Sequence, residues 1–184
     1  MSISHTTLRT VEKPILQFLD GTQITNPRLF YKIYEGYGFA ASKNFKSVNA
    51  GAGKQILFRN LAGSGRKVNI VSIEVVGLAQ LYAEIYVGNT ITSVGTTVTP
   101  LNLRPSTGIS SVAQVAYDGT YTLGTLIYDM VCPGGSRNFA VGGALALGEA
   151  VMLDEDVNFV LKIINASASA TDFSTRAIWW EESF

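Results

Sequence analysis

Apolar and polar residues alternate most clearly from residue 55 onward, with a period of two. Leu81, Ala83, Ile85 and Val87 fall on one side of the chain, and Tyr82, Glu84 and Tyr86 on the other. A strand with one buried face has this pattern, because successive side chains point to opposite faces of a sheet. Residues 55–60 and the β-branched run Val68 to Val76 predict two more strands, separated by the turn-forming stretch Ala62-Gly63-Ser64-Gly65-Arg66-Lys67. Further strands are predicted over 96–103, 111–117, 121–131, 137–141, 144–147, 150–153, 157–164 and 173–180. In 157–164, Val157, Phe159, Leu161 and Ile163 share a face, and in 173–180 Phe173, Thr175, Ala177 and Trp179 do. The inner faces are expected to hold Ile56, Phe58, Val71, Ile73, Val75, Leu81, Ile85, Val87, Phe159, Leu161 and Ile163. After residue 50 no helical period persists beyond about two turns. Many short strands with turn residues about every 8–12 positions predict an all-β, antiparallel sandwich.

Residues 1–52 read differently, as an extended arm ahead of a sandwich domain at 53–184. Residues 14–19 predict a short strand closed by the Asp20-Gly21 turn. Residues 27–35 suit either an extended segment or one short helix, with Pro27 at the first helical position and Asn26 as its cap. Apolar residues are frequent here without a lasting period, as expected of a segment that packs on a partner. The aromatics Phe30, Tyr31, Tyr34, Tyr37 and Phe39, with Arg28 and Lys32, are the partner-binding candidates, since aromatic and arginine side chains carry most interface energy.

Charge sharpens this division. The 184 residues carry 14 Lys+Arg and 14 Asp+Glu, so the net charge is zero, and only 15% of residues are charged. A surface so poor in charge favours association, and a homo-oligomer, most simply a trimer, is expected. Residues 1–67 hold ten bases and three acids, 10 − 3 = +7, and residues 68–184 hold four bases and eleven acids, 4 − 11 = −7. The basic part could meet nucleic acid, a membrane or the acidic part of another copy, or the charges could be scattered over one fold. Nucleic acid is disfavoured because the bases are interleaved with apolar residues rather than clustered.

Candidate chemistry fails test by test. Gly51-Ala52-Gly53-Lys54 lacks the phosphate loop's first glycine and its Ser/Thr, because Val48 and Gln55 stand there. Gly63-Ser64-Gly65 is too short for a nucleophile elbow. The single histidine, His5, excludes a histidine metal cluster, and the single cysteine, Cys132, excludes an internal disulfide and reads as a buried small hydrophobe. Asp154-Glu155-Asp156 lacks calcium-loop spacing and reads as a solvated turn. Glu181 and Glu182 are adjacent, would face opposite sides of a strand, and read as a soluble tail. Of Trp179 and Trp180, one is expected in the core and the other at an interface. No enzyme activity, cofactor or metal is expected. The first residues lack the apolar stretch of a secretory signal and no run approaches the ~20 residues of a membrane span, so synthesis in a cytosol is expected. The Asn165-Ala166-Ser167 sequon then carries no meaning.

Two stretches carry a resemblance. One is Gly142-Gly143-Ala144-Leu145-Ala146-Leu147-Gly148-Glu149, leading into the strand at 157–164 and a closing strand that ends Trp179-Trp180-Glu181-Glu182. The other is the hairpin Phe58-Arg59-Asn60-Leu61-Ala62-Gly63-Ser64-Gly65-Arg66-Lys67-Val68-Asn69-Ile70. Over residues 55–182 this resembles the β-sandwich virion proteins of tailed phages and related viruses. The resemblance implies a jelly-roll-type sandwich, often trimeric, serving as a capsid decoration, minor capsid or head-fibre component on the virion exterior. Its partners would be the major capsid protein or other virion proteins, bound through the N-terminal arm, with neither nucleic acid nor membrane involved. Two other roles stay open: a single-jelly-roll major capsid protein, and a receptor- or glycan-binding module of a fibre or tail.

Overall fold

The computed structural model describes residues 27–134 and 141–184. The strand expected at 14–19, its Asp20-Gly21 turn, the Asn26 cap, His5 and most of the strand expected at 137–141 lie outside the described residues. Helix α1 (Pro27–Glu35) is the first described element and is followed by β1 (Gly38–Val48), β2 (Gly53–Asn60), β3 (Arg66–Gly77) and β4 (Leu81–Val87). Short strands follow: β5 (Thr90–Ser93), β6 (Thr96–Val98), β7 (Leu101–Asn102), β8 (Ala113–Tyr117) and β9 (Thr120–Thr122). The chain closes with β10 (Thr125–Cys132), β11 (Val141–Leu153), β12 (Asn158–Asn165) and β13 (Thr171–Ser183).

These strands build an all-β sandwich of two large antiparallel sheets. One sheet has the order β11-β3-β13-β1-β7, the other β10-β4-β12-β2-β8-β6, and β5 pairs separately with β9. From β1 to β4 each strand lies in the opposite sheet to the one before, and β10 to β13 alternate in the same way. Each alternating side chain therefore has a facing sheet to bury against. Phe39, Phe45, Ile56, Phe58, Ile73, Val75, Leu81, Ile85, Phe159, Leu161, Ile163, Phe173 and Trp179 form this shared core. Phe58 and Phe159 stack across the β2–β12 ladder with ring centroids 4.7 Å apart.

Leu57, Ala116, Tyr121 and Val160 form a second buried cluster, packed with Ile91, Val94 and Leu123. The β5–β9 excursion thus covers the outer face of the six-stranded sheet, and β2 and β12 are buried on both faces. That accounts for the unbroken apolar runs Ile56-Leu57-Phe58 and Phe159-Val160-Leu161. Asn89 ties the feet of this excursion together: its Nδ2 donates to Asn158 Oδ1 (3.0 Å), and its Oδ1 accepts from Gly124 N–H (3.1 Å).

The structure corrects the arm boundary. Residues 38–48 lie between β13 and β7, with Phe39 fully buried and Phe45 in the core. The strand is hard to read because Lys43 occupies an alternate position inside the rim, its Nζ 4.0 Å from the Tyr117 ring centroid. Ser47 (φ 52°) then breaks the alternation at a bulge before the buried Val48. Val71 is also corrected. A register shift lies where Ile178 pairs Ser72 and Trp179 pairs Ile70, so Ile70 and Ile73 are buried while Val71 is not. The strands expected at 144–147 and 150–153 are one strand, β11, with a register shift between Ala146 and Val151.

Leu161→Ala is expected to destabilise the fold by about 2–5 kcal/mol through cavity formation, whereas Val71→Ala costs under about 1.5 kcal/mol. Urea unfolding of the two variants checks this ordering.

Candidate interaction surface

Helix α1 lies against β1 and β13 of the five-stranded sheet. It stops where it does because Gly36 adopts φ 89°, a left-handed conformation that suits glycine. Gly36 N–H bonds to Ile33 O (2.9 Å) and Tyr37 N–H to Lys32 O (2.7 Å), the pair of bonds that satisfies a helix C-terminus. Gly38 then lets the helix sit close: a Cβ there would lie 2.3 Å from Ile33 Cγ1.

Three further side chains hold the helix in place. Asn102 Nδ2 donates to Gly36 O (2.8 Å), and Arg104 Nη1 donates to the Tyr34 carbonyl. The Arg104 guanidinium also stacks 4.5 Å over the Tyr34 ring, where its charge favours the negative end of the helix. At the other end Arg28 lies 4.6 Å over the Trp180 ring and bonds Glu182 Oε2 at 3.0 Å.

The outward side of this fixed helix is aromatic. Phe30 is 44% exposed, Tyr31 51% and Tyr34 63%. Leu101 and Leu103, exposed on the segment that clasps the helix C-terminus, extend the apolar surface. Phe30, Tyr31, Tyr34, Arg28 and Lys32 of the expected binding set thus share one helix. Tyr37 and Phe39 do not join them: Tyr37 is half-buried beneath Arg66, whose guanidinium lies 5.0 Å from its ring, and Phe39 stacks on Trp179 in the core. Neither tryptophan is at a surface. Trp179 is fully buried, and Trp180, on the outer face of β13, is buried beneath Arg28.

Beside the helix, Glu181 is buried completely, which corrects its expected place in a soluble tail. Its carboxylate accepts from Ser111 Oγ (2.5 Å), Val112 N–H (3.0 Å), Trp179 Nε1 (3.2 Å) and Arg66 Nη1 (3.2 Å). Pairing and multiple donors together make a buried carboxylate tolerable. No alternation rule flags such a residue; the only hint is the acid following two tryptophans in a strand that needs an inward side chain.

Five of the ten bases before residue 68 meet acids of the later part of the same molecule. Arg28–Glu182, Lys54–Asp118, Arg59–Asp156, Arg66–Glu181 and Lys67–Asp154 each join a base before residue 68 to an acid after it. Two members of the 154–156 acid cluster are used this way, and Glu155 accepts from Gly65 N–H at 2.6 Å. On the six-stranded sheet Glu84 accepts from Tyr86 Oη (2.9 Å) and Lys162 Nζ (3.0 Å). Burial alone would raise the Glu84 pKa, but the Lys162 and Tyr86 hydrogen bonds and the Lys162 charge outweigh it and lower it.

A groove of about 240 Å³ at the far end of the five-stranded sheet is lined by Asn44, Phe45, Lys46, Leu78, Asp172 and Phe173, among others. The Asp172 carboxylate there already accepts from Ser47 N–H (2.7 Å). Among the described residues no group of three or more His, Cys, Asp or Glu is placed to hold a metal, and no helix is long and apolar enough to cross a membrane. Asn165 is buried, its amide donating to Val48 O (2.9 Å) and Ser169 O (2.8 Å), so the sequon is closed to modification in the folded chain. No protein-family model matches the chain, and no curated protein is significantly similar to it.

Glu181→Ala leaves Trp179 Nε1 and Val112 N–H without their acceptor and Arg66 without its carboxylate, and is expected to cost about 3–5 kcal/mol in denaturant unfolding. Glu84 titrates below its ordinary value of 4.5 in the fold, so folding favours its ionised form. That contribution is present above pH 4.5 and fades as pH falls through the lowered folded-state pKa. Glu84→Gln is therefore expected to flatten the acid limb of stability against pH, measured by unfolding midpoints from neutral to acid pH.

Proposed function

We propose that the chain is a non-enzymatic virion structural protein that attaches to the exterior of a capsid and stabilises it, with α1 as its docking face. The observation that carries this reading is the exposed aromatic face of α1, clamped at both ends to a stiff sandwich. A preordered aromatic surface binds a complementary groove with little loss of side-chain freedom. The groove partner is the major capsid protein or another virion protein. Because Arg28, Lys54, Arg59, Arg66 and Lys67 engage the chain's own carboxylates, docking by apolar contact is favoured over nucleic acid or an anionic membrane.

Strand order supports the jelly-roll architecture that the sequence resemblance implies. In the five-stranded sheet β1, β13, β3 and β11 are consecutive neighbours, and in the other β2, β12, β4 and β10 are. Nested pairing of early strands with late ones, alternating between sheets, is what two interlocked Greek keys produce. The segment 88–124 is then an insertion between the fourth and fifth strands of the roll.

In particles purified from cells producing the chain from its native genome, the wild-type chain is expected in stoichiometric amount by mass spectrometry. The Tyr31→Ala/Tyr34→Ala double variant is expected to keep its melting temperature within a few degrees and to lose particle binding by about tenfold or more. Particles that lack the wild-type chain, or that retain the double variant fully, would overturn the reading.

A further inference from the structure

The two sides of the sandwich are finished differently. On one side the sheets end in β6 and β7, of three and two residues. Both come from the 88–124 excursion, and strands this short offer little for another chain to pair with. On the other side the sheets end in β10 and β11, of eight and thirteen residues. These two lie against each other across the sandwich.

Strand β10 carries few of the usual guards against pairing, the register shift between Leu126 and Tyr128 being one. It contains no proline and no lysine, and its one charge is Asp129. Leu126, Ile127, Tyr128 and Val131 are between 41% and 54% exposed along it. Among the described residues its ladder partner is β4 alone, so alternate backbone N–H and C=O groups face away from β4.

We infer that β10 is the docking edge for a second copy of this chain, with the two β10 strands antiparallel across a two-fold axis. A two-fold contact brings the same patch to itself, and an antiparallel edge is complementary to itself in hydrogen bonding. The chain's zero net charge adds no long-range repulsion between copies. An axis at Met130 sets Asp129 opposite Val131 of the other copy and Tyr128 opposite Cys132. An axis at Asp129 would face two carboxylates and is disfavoured. The contact makes the six-stranded sheets of two molecules continuous. It gives a dimer rather than the trimer expected from the sequence, and it leaves the α1 face open.

The test uses the full chain. Sedimentation at about 100 μM is expected to give twice the chain mass of 19.8 kDa, reverting to the single mass on dilution. Amide exchange along 125–132 is expected to slow in the dimer and quicken on dilution. Val131→Lys and Leu126→Lys, at exposed positions, are expected to weaken dimerisation by about tenfold or more with an unchanged β-type circular dichroism spectrum. A wild-type monomer at that concentration, a three-copy mass, or a dimer whose β10 amides exchange as fast as in the monomer would overturn the inference. The exchange measurement decides even if a lysine variant misfolds. Tyr31→Ala/Tyr34→Ala is expected to leave the mass unchanged, so this edge and the α1 face fail or stand separately.

Discussion

Glu181 has no exposed surface, yet its carboxylate gathers a guanidinium, a hydroxyl, an indole N–H and a backbone N–H from three parts of the chain. Arg66 begins β3, Ser111 and Val112 lead into β8, and Trp179 precedes Glu181 by two residues on β13. The carboxylate therefore joins the central strand of one sheet to the start of its neighbour and to the return limb of the excursion. A buried charge is tolerable only when such partners are all in place. The end of β13 consequently has one well-defined position, and the outer surface built on it inherits that order.

That outer surface is the seat of α1. Trp180 follows Trp179 on the opposite face of β13, so fixing one ring inside fixes the other outside. Arg28 stacks on Trp180 and reaches Glu182, while Arg104 and Asn102 close over the helix C-terminus. A nine-residue helix in isolation is too short to persist in water. Here its two ends are held by side chains anchored in strands and in the 101–104 segment, and its aromatic side remains presented to solvent as an ordered unit.

The long connection between β4 and β10 does two jobs through the same backbone. Its β5–β9 hairpin shields the apolar outer positions Leu57 and Val160, and its β6 and β7 segments finish one side of both sheets. Without it the doubly apolar runs in β2 and β12 would face water, and four sheet ends would be long and open. The molecule is thus lopsided, with one side capped by its own chain and the other terminating in full-length strands.

Period-two alternation determined the class of fold, most of the strands and most of the core, because each buried face repeats wherever a strand has one wet side. Ile56, Phe58, Ile73, Val75, Leu81, Ile85, Phe159, Leu161 and Ile163 are all buried where that rule puts them, and Val87 packs partly buried against them. The rule failed where a bulge shifts the register, at Val71, and where an inward lysine can reach the rim, at Lys43 in β1. It could not show that Arg28, Lys54, Arg59, Arg66 and Lys67 meet acids of the same molecule, because those partners lie from 64 residues away (Lys54–Asp118) to 154 (Arg28–Glu182). Nor could it separate a fully buried Glu181 from a half-buried Glu182, or a covered Trp180 from a free one. Local pattern reports which face of a strand is apolar; only the packing of distant segments decides what lies over that face, and burial, charge pairing and exposed surface all depend on that.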